Sequence, residues 1–310
     1  MILSVTMNPS VDISYTLDTL KLNTVNRSDQ TKKTAGGKGL NVARVISLMG
    51  EQVIATGFLG GTIGLFIEEE LAKNQIENAF YKIDQESRNC IAILHEGQQT
   101  EILEAGPILT KADAEQFLIK FSNLLNSADI VTISGSLPQG IDADIYQEMI
   151  RMGNSVDVVT ILDCSGEALR FALESLEKPF LIKPNQEELG QLLGEEISMD
   201  SATLKEVLHR PIFNGIPWIV VSMGADGGFV KCGEDFFQVE IPKINVVNPV
   251  GSGDATVAGL AVAIQQKKNA SDILKTAMTT GILNTMQAGT GYIEMEKFQE
   301  YINQVKVTII

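Results

Sequence analysis

The later part of the chain alternates between amphipathic stretches and short apolar runs, and this alternation most limits the folds open to it. Helical patterns at 112–125, 142–152 and 167–176 each precede a strand-like run, at 130–134, 156–163 and 180–183. After further helical patterns at 186–193 and 201–213, the nearly uninterrupted apolar run at 218–222 has the character of a strand buried on both faces. Strands separated by helices form a mostly parallel sheet with helices on each side. The pattern predicts a three-layer α/β/α domain.

The remaining stretches fit one domain over residues 1–310. Helices are predicted at about 252–267, 271–287 and 294–304, and there is no internal repeat, low-complexity tract or linker. Two more polar, alternating segments, at about 11–33 and 88–105, interrupt the first half and have the character of peripheral β structure. Because ligands bind at the carboxyl edge of such sheets, we expect these segments to form a small β lid there.

Composition excludes several classes of function. A net charge of −15 argues against nucleic-acid binding. Two histidines and three widely spaced cysteines disfavour zinc sites, histidine-dependent triads and a disulfide framework. The N-terminus lacks the features of a signal peptide, and no apolar run approaches membrane-spanning length. We therefore expect a cytoplasmic protein with no nucleic-acid or membrane partner.

A glycine-rich stretch near the C-terminus is the first candidate for chemistry. In residues 248–255, Gly251, Ser252 and Gly253 precede Asp254, and a small, apolar helical pattern follows. Glycines allow successive backbone N–H groups to converge on an anion, and a helix N-terminus adds favourable electrostatics. A carboxylate beside such a cradle suits removal of a proton from a hydroxyl that attacks a phosphoryl group. Alternatively, Asp254 is an ordinary acid in the first turn of a helix.

A second glycine-rich stretch, Gly36-Gly37-Lys38-Gly39-Leu40-Asn41, precedes another helical pattern. It lacks the G-x-G-x-x-G spacing of a dinucleotide site, and no Ser or Thr follows the lysine as in a P-loop. Exposed backbone, one ammonium group and one amide suit sugar hydroxyls and a phosphate. A simple glycine turn before a helix is the alternative.

Together the two stretches resemble the signatures of the PfkB, or ribokinase-like, carbohydrate kinases. Similar intermediate motifs extend the resemblance over the whole chain; they lie at 8–12, 134–138, 183–188 and 222–227. The resemblance implies a ribokinase-like fold, and it implies that Asp254 is the base while the amides of Gly251, Ser252 and Gly253 stabilise the moving phosphoryl. It also implies that Asn185 and Glu188 hold Mg²⁺ through water, although a solvated acid is the alternative for Glu188.

The same resemblance implies which residues bind the two substrates. For the sugar phosphate they are Asp12, Arg27, Gly37, Lys38, Asn41 and Arg88, and for ATP they are Lys183, Asn185, Ser222, Gly224, Gly227 and Asn284. Alternatives remain open for some of them: a turn residue for Asp12, surface charges for Arg27 and Arg88, and a salt-bridged lysine for Lys183. The adenine contacts are the least specified, since Met278 stands where an asparagine is common.

Within the family, segments 33–42, 88–97 and 100–107 most resemble members that act on tagatose 6-phosphate. The implied reaction is phosphoryl transfer from ATP with Mg²⁺ to the primary hydroxyl of D-tagatose 6-phosphate, as in lactose or galactose breakdown through tagatose. Fructose 1-phosphate and fructose 6-phosphate are the alternative acceptors. A monovalent cation near Gly289 and a homodimer formed through the β lid are further expectations. A non-catalytic sugar-phosphate or nucleotide sensor is the competing hypothesis, and the missing dinucleotide motif disfavours an NAD-dependent oxidoreductase.

Overall fold

The computed structural model describes residues 1–310. Two sheets organise the chain, and the larger one has 11 strands. Its strands are β1 (Ile2–Thr6), β4 (Val53–Gly60), β5 (Glu77–Asn78), β6 (Tyr81–Ile83), β9 (Ile130–Ser134), β10 (Val159–Asp163), β11 (Leu181–Ile182), β12 (Trp218–Ser222), β13 (Gly228–Cys232), β14 (Asp235–Glu240) and β15 (Lys306–Ile309). The smaller sheet contains β2 (Ser10–Leu17), β3 (Gln30–Gly36), β7 (Arg88–His95) and β8 (Gln98–Leu103).

The large sheet is parallel through its centre. Its strand order is β15-β14-β13-β12-β11-β10-β9-β1-β4-β5, with β6 paired to β4. Every pair from β12 to β5 is parallel, whereas β13, β14 and β15 add an antiparallel edge. The carboxyl ends of the central strands therefore meet along one edge of the sheet.

Helices cover both faces of the large sheet. They are α1 (Lys38–Leu48), α2 (Gly61–Lys73), α3 (Lys111–Leu125), α4 (Ile145–Asn154), α5 (Gly166–Glu174), α6 (Gln186–Leu193), α7 (Ser201–Leu208), α8 (Ser252–Gln265), α9 (Ala270–Thr285) and α10 (Phe298–Ile302). One apolar core contains α1, α2, α8 and α9, and a second contains α3 to α7. Successive residues of β1 alternate between them, with Ile2 in the first core and Leu3 in the second. The predicted three-layer fold is confirmed.

The small sheet has the order β3-β2-β7-β8, with β2 and β7 parallel and the other pairs antiparallel. Strand β2 begins shortly after β1 ends, and β3 ends at Gly36, immediately before α1. The small sheet is thus joined to the large one where α1 starts. No helix of the structure combines the length and the apolar character needed to cross a membrane.

Some predicted elements differ from those in the structure. The helix predicted at 201–213 ends at Leu208, and a separate 3-10 turn, Pro211–Phe213, follows. Proline lacks a backbone N–H and its ring clashes with the preceding turn, so the helix cannot continue through Pro211. The helix predicted at 294–304 is a 3-10 turn, Met295–Lys297, followed by the short α10. Strand β15 was not predicted.

Candidate active site

A cavity of about 1340 Å³ lies at the carboxyl edge of the large sheet. Residues at or just after the ends of five parallel strands line it: Thr6, Ser134, Asp163, Lys183 and Ser222. Residues of the small sheet, among them Asp12 and Arg88, form another wall. This is the edge where open α/β sheets bind ligands, because strands end there and loops diverge.

The cavity brings together nearly all the residues that the sequence singles out. Those that line it are Asp12, Gly37, Lys38, Asn41, Arg88, Lys183, Asn185, Glu188, Ser222, Gly224, Gly227, Gly251, Ser252, Gly253 and Asp254. Arg27 and Asn284 do not. Residues from both glycine-rich stretches, 213 positions apart at Asn41 and Asp254, are in direct contact.

Helix α8 begins with Gly251 as its N-cap, in the left-handed backbone region at φ 81°. A Cβ at this position would lie 2.4 Å from Thr290 Cγ2, so a side chain does not fit. The amides of Gly251 and Gly253 have no protein partner, whereas that of Ser252 donates to the Pro249 carbonyl over 3.3 Å. The predicted cradle of three amides is therefore reduced to two unpartnered ones.

Asp254 lies in the first turn of α8 and is 6% exposed. Its Oδ2 accepts a hydrogen bond of 2.8 Å from Asn41 Nδ2. Burial and then the charge of Asp163 raise the pKa of Asp254 to about 7, against the lowering effects of Lys38, Asn41 and Lys183. A carboxyl with this pKa can accept a proton at neutral pH and release it again.

Charged residues from four parts of the chain meet beside Asp254. Asp163, at the end of β10, is 3.4 Å from Lys183 Nζ through Oδ1 and 3.7 Å from Lys38 Nζ through Oδ2. Lys38 Nζ is also 3.6 Å from Glu188 Oε1. Burial lowers the pKa of Lys38, but the charges of Asp163, Asp254 and Glu188 outweigh it and raise the net pKa. Lys38 therefore stays protonated, and its ammonium group lies on the Glu188 side of the cavity.

Asn185 and Glu188 form the N-terminal capping box of α6. Asn185 Oδ1 accepts from the Glu188 amide over 2.8 Å, and Glu188 Oε2 accepts from the Asn185 amide over 3.0 Å. This reciprocal arrangement satisfies two helix-terminal donors and fixes both side chains at the cavity wall. It leaves Glu188 Oε1 facing Lys38.

The small sheet presents a different set of groups. Asp12 accepts a 2.7 Å hydrogen bond from Ser10 Oγ, and its carboxylate packs directly over Gly36, where a Cβ would approach to about 2.0 Å. Burial raises the pKa of Asp12. Arg88 donates from Nε to the Asn8 carbonyl and from Nη1 to the Glu104 carbonyl. These bonds hold the guanidinium at the cavity wall.

The opposite end of the cavity combines glycine turns with an apolar wall. Ser222, at the end of β12, pairs with Asn185, and Gly224 and Gly227 both have positive φ in the turn that follows. Apolar side chains complete the wall: Ile241, Ile244, Val246, Met278 and Ile282. The sequence indicated no such wall, since these residues are spread over a loop and α9.

The structure does not support direct contacts for two predicted site residues. Arg27 is exposed in the loop between β2 and β3 and does not line the cavity. Asn284 is fully buried; it donates to the Val250 carbonyl and accepts from the Gly291 amide. Because both ends of its amide are occupied by backbone, Asn284 joins two loops, and the predicted contact with ATP does not fit this arrangement.

Several charged residues at or beside the site were not predicted. Lys32, Glu101, Asp163, Asp226 and Lys243 line the cavity, and Arg44 contacts Asn41 without lining it. Asp163 ends a buried strand, and an acid at the carboxyl end of a parallel strand is a signal that could have identified it. Arg44 lies in the middle of α1 among apolar residues and is 2% exposed. Its spacing from Asn41, one helical turn, was the only available signal.

Comparison with known proteins identifies the family. The sequence model of the pfkB family carbohydrate kinases matches residues 5–297. The chain belongs to this family of carbohydrate kinases. A tagatose-6-phosphate kinase of Staphylococcus epidermidis is 51% identical over 307 residues, which cover 99% of each chain.

Solved structures of carbohydrate kinases share the fold. Phosphofructokinase-2 from Escherichia coli in complex with potassium superimposes with a TM-score of 0.90 at 25% identity and covers 97% of this chain and 98% of its own. The same enzyme in complex with substrates and products gives a TM-score of 0.88 at 25% identity over the same shares. The predicted ribokinase-like fold and membership of the PfkB family are confirmed.

Proposed function

We propose that this kinase transfers the γ-phosphoryl group of ATP to the primary hydroxyl of D-tagatose 6-phosphate and forms D-tagatose 1,6-bisphosphate. The observation that carries the proposal is the placement of Asp254, a buried carboxylate with a pKa near 7 in the first turn of a glycine-capped helix. The similarity to the S. epidermidis tagatose-6-phosphate kinase over the full chain supports the choice of sugar.

In this proposal Asp254 removes the proton of the attacking hydroxyl. Asn41 donates to one carboxylate oxygen, so the other is available to the sugar. General-base catalysis is most effective when the pKa of the base lies near the working pH, and burial moves Asp254 into that range. The hydroxyl becomes a better nucleophile as the phosphoryl group approaches it.

The charge on the transferring phosphoryl is stabilised by fixed donors. The unpartnered amides of Gly251 and Gly253 contribute from the N-terminus of α8, and Lys183 lies against Gly253, whose Cβ would be 3.2 Å from Nζ. Such preorganised donors supply much of the rate in phosphoryl transfer. The sequence made Lys38, with Arg27 and Arg88, a candidate for binding the phosphate already on the sugar. Its position beside Glu188 suits the transferring phosphoryl better.

Transfer is direct, without a covalent enzyme intermediate. Cys164 is the cysteine nearest to Asp163 and lines the cavity, but burial and the charge of Asp163 raise its pKa far above neutrality. A thiol that stays protonated is a poor nucleophile. The sugar hydroxyl therefore attacks the phosphoryl group itself.

The donor set fits a magnesium ion that is bound mainly through the nucleotide. No group of three or more acidic, histidine or cysteine side chains forms a metal cage. However, Glu188 Oε1 lies at the cavity 3.6 Å from Lys38 Nζ. The carboxylate of Asp163 accepts no hydrogen bond and has only the longer ion pairs to Lys183 and Lys38, at 3.4 and 3.7 Å. Mg²⁺ prefers oxygen ligands and keeps several waters, so Asn185, Glu188 and Asp163 would hold it through its hydration shell. When bound, the ion would neutralise phosphate charge.

We place the sugar between the small sheet and α1. Asp12 and Gly37 bind its hydroxyls. Asn41 can add one hydrogen bond, because its NH₂ group has a second N–H besides the one that donates to Asp254. Arg88 binds the existing phosphate of the sugar by a charge-assisted hydrogen bond. The small sheet acts as the lid, and its exposed edges pair between two subunits in a homodimer.

Ser222, Gly224 and Gly227 approach the nucleotide, and the apolar wall with Met278 contacts adenine. A monovalent cation near Gly289 remains a proposal, tested by replacing potassium with an organic cation.

Turnover of three sugar phosphates tests the substrate assignment. We expect the highest kcat/KM, measured as ADP released, with D-tagatose 6-phosphate. Fructose 6-phosphate differs from it in the configuration of one hydroxyl. Fructose 1-phosphate differs in that configuration and also in the position of the phosphate. A higher kcat/KM with fructose 1-phosphate or fructose 6-phosphate would assign the chain to the corresponding phosphofructokinase activity.

A sensor that binds without catalysis is the second candidate. It would need the sugar and nucleotide contacts but no base, and the buried Asp254 with its raised pKa argues against it. Binding of ATP and the sugar phosphate without any ADP release would favour the sensor. An oxidoreductase remains disfavoured, and no change in nicotinamide absorbance is expected.

A further inference from the structure

Arg44 is a buried cation that contacts three separate parts of the site. Its guanidinium donates to the Ala35 carbonyl in β3, to Asn41 Oδ1 over 3.1 Å and to the Thr290 carbonyl over 3.0 Å. It also lies over the ring of Tyr292, 4.9 Å from the centroid. Burial lowers the pKa of Arg44, and its ionisable neighbours act in the opposite direction: Tyr292 first, then Asp12, Glu70 and Asp254. All three hydrogen bonds of the guanidinium go to neutral oxygens, and its Nε has no partner.

The contact with Asn41 has a direction that chemistry fixes. A guanidinium can only donate hydrogen bonds, so the end of the amide that faces Arg44 must be the oxygen. The NH₂ group must then face the other way, and its partner there is Asp254 Oδ2, 2.8 Å from Nδ2. In this orientation the amide favours the ionised carboxylate. The reversed orientation would present Oδ1 to Asp254 and favour the protonated acid.

We propose that Arg44 is a positioning residue for phosphoryl transfer, which holds the Asn41 amide in the orientation that donates to Asp254. The proposal rests on the role of Asp254 in the proposed function. Arg44 does not line the cavity, so it touches neither the sugar nor the nucleotide. It acts through Asn41, and it keeps the base in the form that can accept a proton.

The other two contacts of Arg44 connect this orientation to the walls of the cavity. The Ala35 carbonyl belongs to the last part of β3, where the small sheet joins α1. Thr290 packs against Gly251, the N-cap of α8. A planar guanidinium with donors in a fixed geometry holds these two segments and the amide at once. Arg44 therefore contacts the small sheet, the amide that donates to Asp254, and the residue that packs against the N-cap of α8.

Other charges also face Asp254 and must be separated from this effect. Asp163 raises its pKa from the end of β10, whereas Lys38 of α1 and Lys183 after β11 lower it. Lys32 in β3 offers a matched control, because its ammonium lies 5.3 Å from the same Tyr292 ring but forms no hydrogen bond with Asn41. Removing Lys32 takes away one nearby positive charge and leaves the amide oriented.

The test measures the pKa of Asp254 by ¹³C NMR of its carboxyl carbon, which needs no turnover. In Arg44→Met all donors are lost, and we expect the pKa of Asp254 to rise by about one unit. The kcat should be roughly tenfold lower, with a nearly unchanged KM for the sugar. Arg44→Lys restores a group that can only donate, so the pKa of Asp254 should return most of the way to the native value. Lys32→Met should leave the pKa unchanged.

An unchanged pKa in Arg44→Met, or a value in Arg44→Lys equal to that in Arg44→Met, would overturn the proposal. If Arg44→Met does not fold, Arg44→Gln replaces it. Glutamine offers both an oxygen and an NH₂ group, so the amide of Asn41 is no longer held one way and the pKa of Asp254 should still rise.

In an Asn41→Ala background, Arg44→Gln should shift the pKa of Asp254 no further. A full additional shift would refute action through Asn41. If the native enzyme shows no turnover, the proposed function is contradicted. The NMR comparison still tests whether Arg44 orients Asn41, because it needs no turnover.

Discussion

Lys183 Nζ lies 3.4 Å from Asp163 Oδ1, and the two side chains are only 4% and 1% exposed. The other oxygen of Asp163 is 3.7 Å from Lys38 Nζ. One buried carboxylate thus holds two ammonium groups at the floor of the cavity, beside the turn that begins α8. Asp163 and Lys183 are out of water and depend on each other, because an unpaired buried charge is costly, whereas the Lys38 side chain is 40% exposed.

Removal of the Asp163 charge should therefore destabilise the fold. We expect Asp163→Asn to lower the free energy of unfolding by about 3 kcal/mol in urea titrations, because Lys183 is left buried and uncompensated. The exposed pair of Lys111 and Asp142, with 81% and 64% of the side chains accessible at 3.2 Å, is the control. Asp142→Asn should cost less than about 1 kcal/mol. Equal losses in the two variants would show that the buried pair has no special role.

The same substitution should also shift the pH dependence of turnover. The charge of Asp163 raises the pKa of Asp254, so its removal lowers that pKa and extends activity to lower pH. In the profile of kcat/KM against pH, activity falls on the acidic side. We expect this acidic limb to lie at lower pH in Asp163→Asn than in the native enzyme, whatever the loss in maximal rate. A limb that stays in place or moves to higher pH would contradict the assigned electrostatics.

In the native enzyme the acidic limb should have its midpoint near the pKa of Asp254, about 7. The base works in its ionised form, and an acid is protonated below its pKa. Activity should therefore be full above this value and should fall about tenfold for each pH unit below it. The measurement is kcat/KM against pH with the sugar phosphate as the varied substrate. A flat profile down to pH 5 would mean that no such carboxyl controls turnover.

The N-cap of α8 allows a second kind of test. Gly251→Ala places a methyl group 2.4 Å from Thr290 Cγ2 in a left-handed backbone, so the anion-binding turn must shift. We expect kcat to fall about a hundredfold, since displaced donors no longer meet the phosphoryl group. Gly233→Ala is the matched control: φ is also positive, at +58°, but the Cβ meets nothing within 4 Å. It should cost about 1 kcal/mol of stability and leave kcat unchanged.

The sequence was sufficient to predict the parts of the fold that local patterns encode. The helix predicted at 186–193 is α6 with the same bounds, because Asn185 and Glu188 form a capping box that is visible in the sequence. Pro211 was visible too, and the predicted helix 201–213 should have stopped before it. Strand β15 was not predictable in this way, since its place at the edge of the sheet depends on pairing with β14.

The parts of the site that depend on contacts between distant residues could not be predicted from the sequence. Asn41 and Asp254 could each be singled out from a motif, but their hydrogen bond follows only from the packing of α1 against α8. Asn284 was expected to face ATP or a monovalent-cation loop near Gly289, because Met278 stands where ribokinases often have an asparagine. Its burial between Val250 and Gly291 depends on two loops whose approach no sequence pattern reveals. Arg44 was hidden for the same reason.

The most direct test of the account is single-turnover phosphoryl transfer by Asp254→Asn with labelled ATP and D-tagatose 6-phosphate. Asparagine keeps the size of the side chain but cannot accept the proton, so we predict a loss of about 10³-fold in the transfer rate with ATP affinity within a few-fold of native. Transfer by Asp254→Asn at a rate within tenfold of the native enzyme would contradict the claim that this carboxylate is the base.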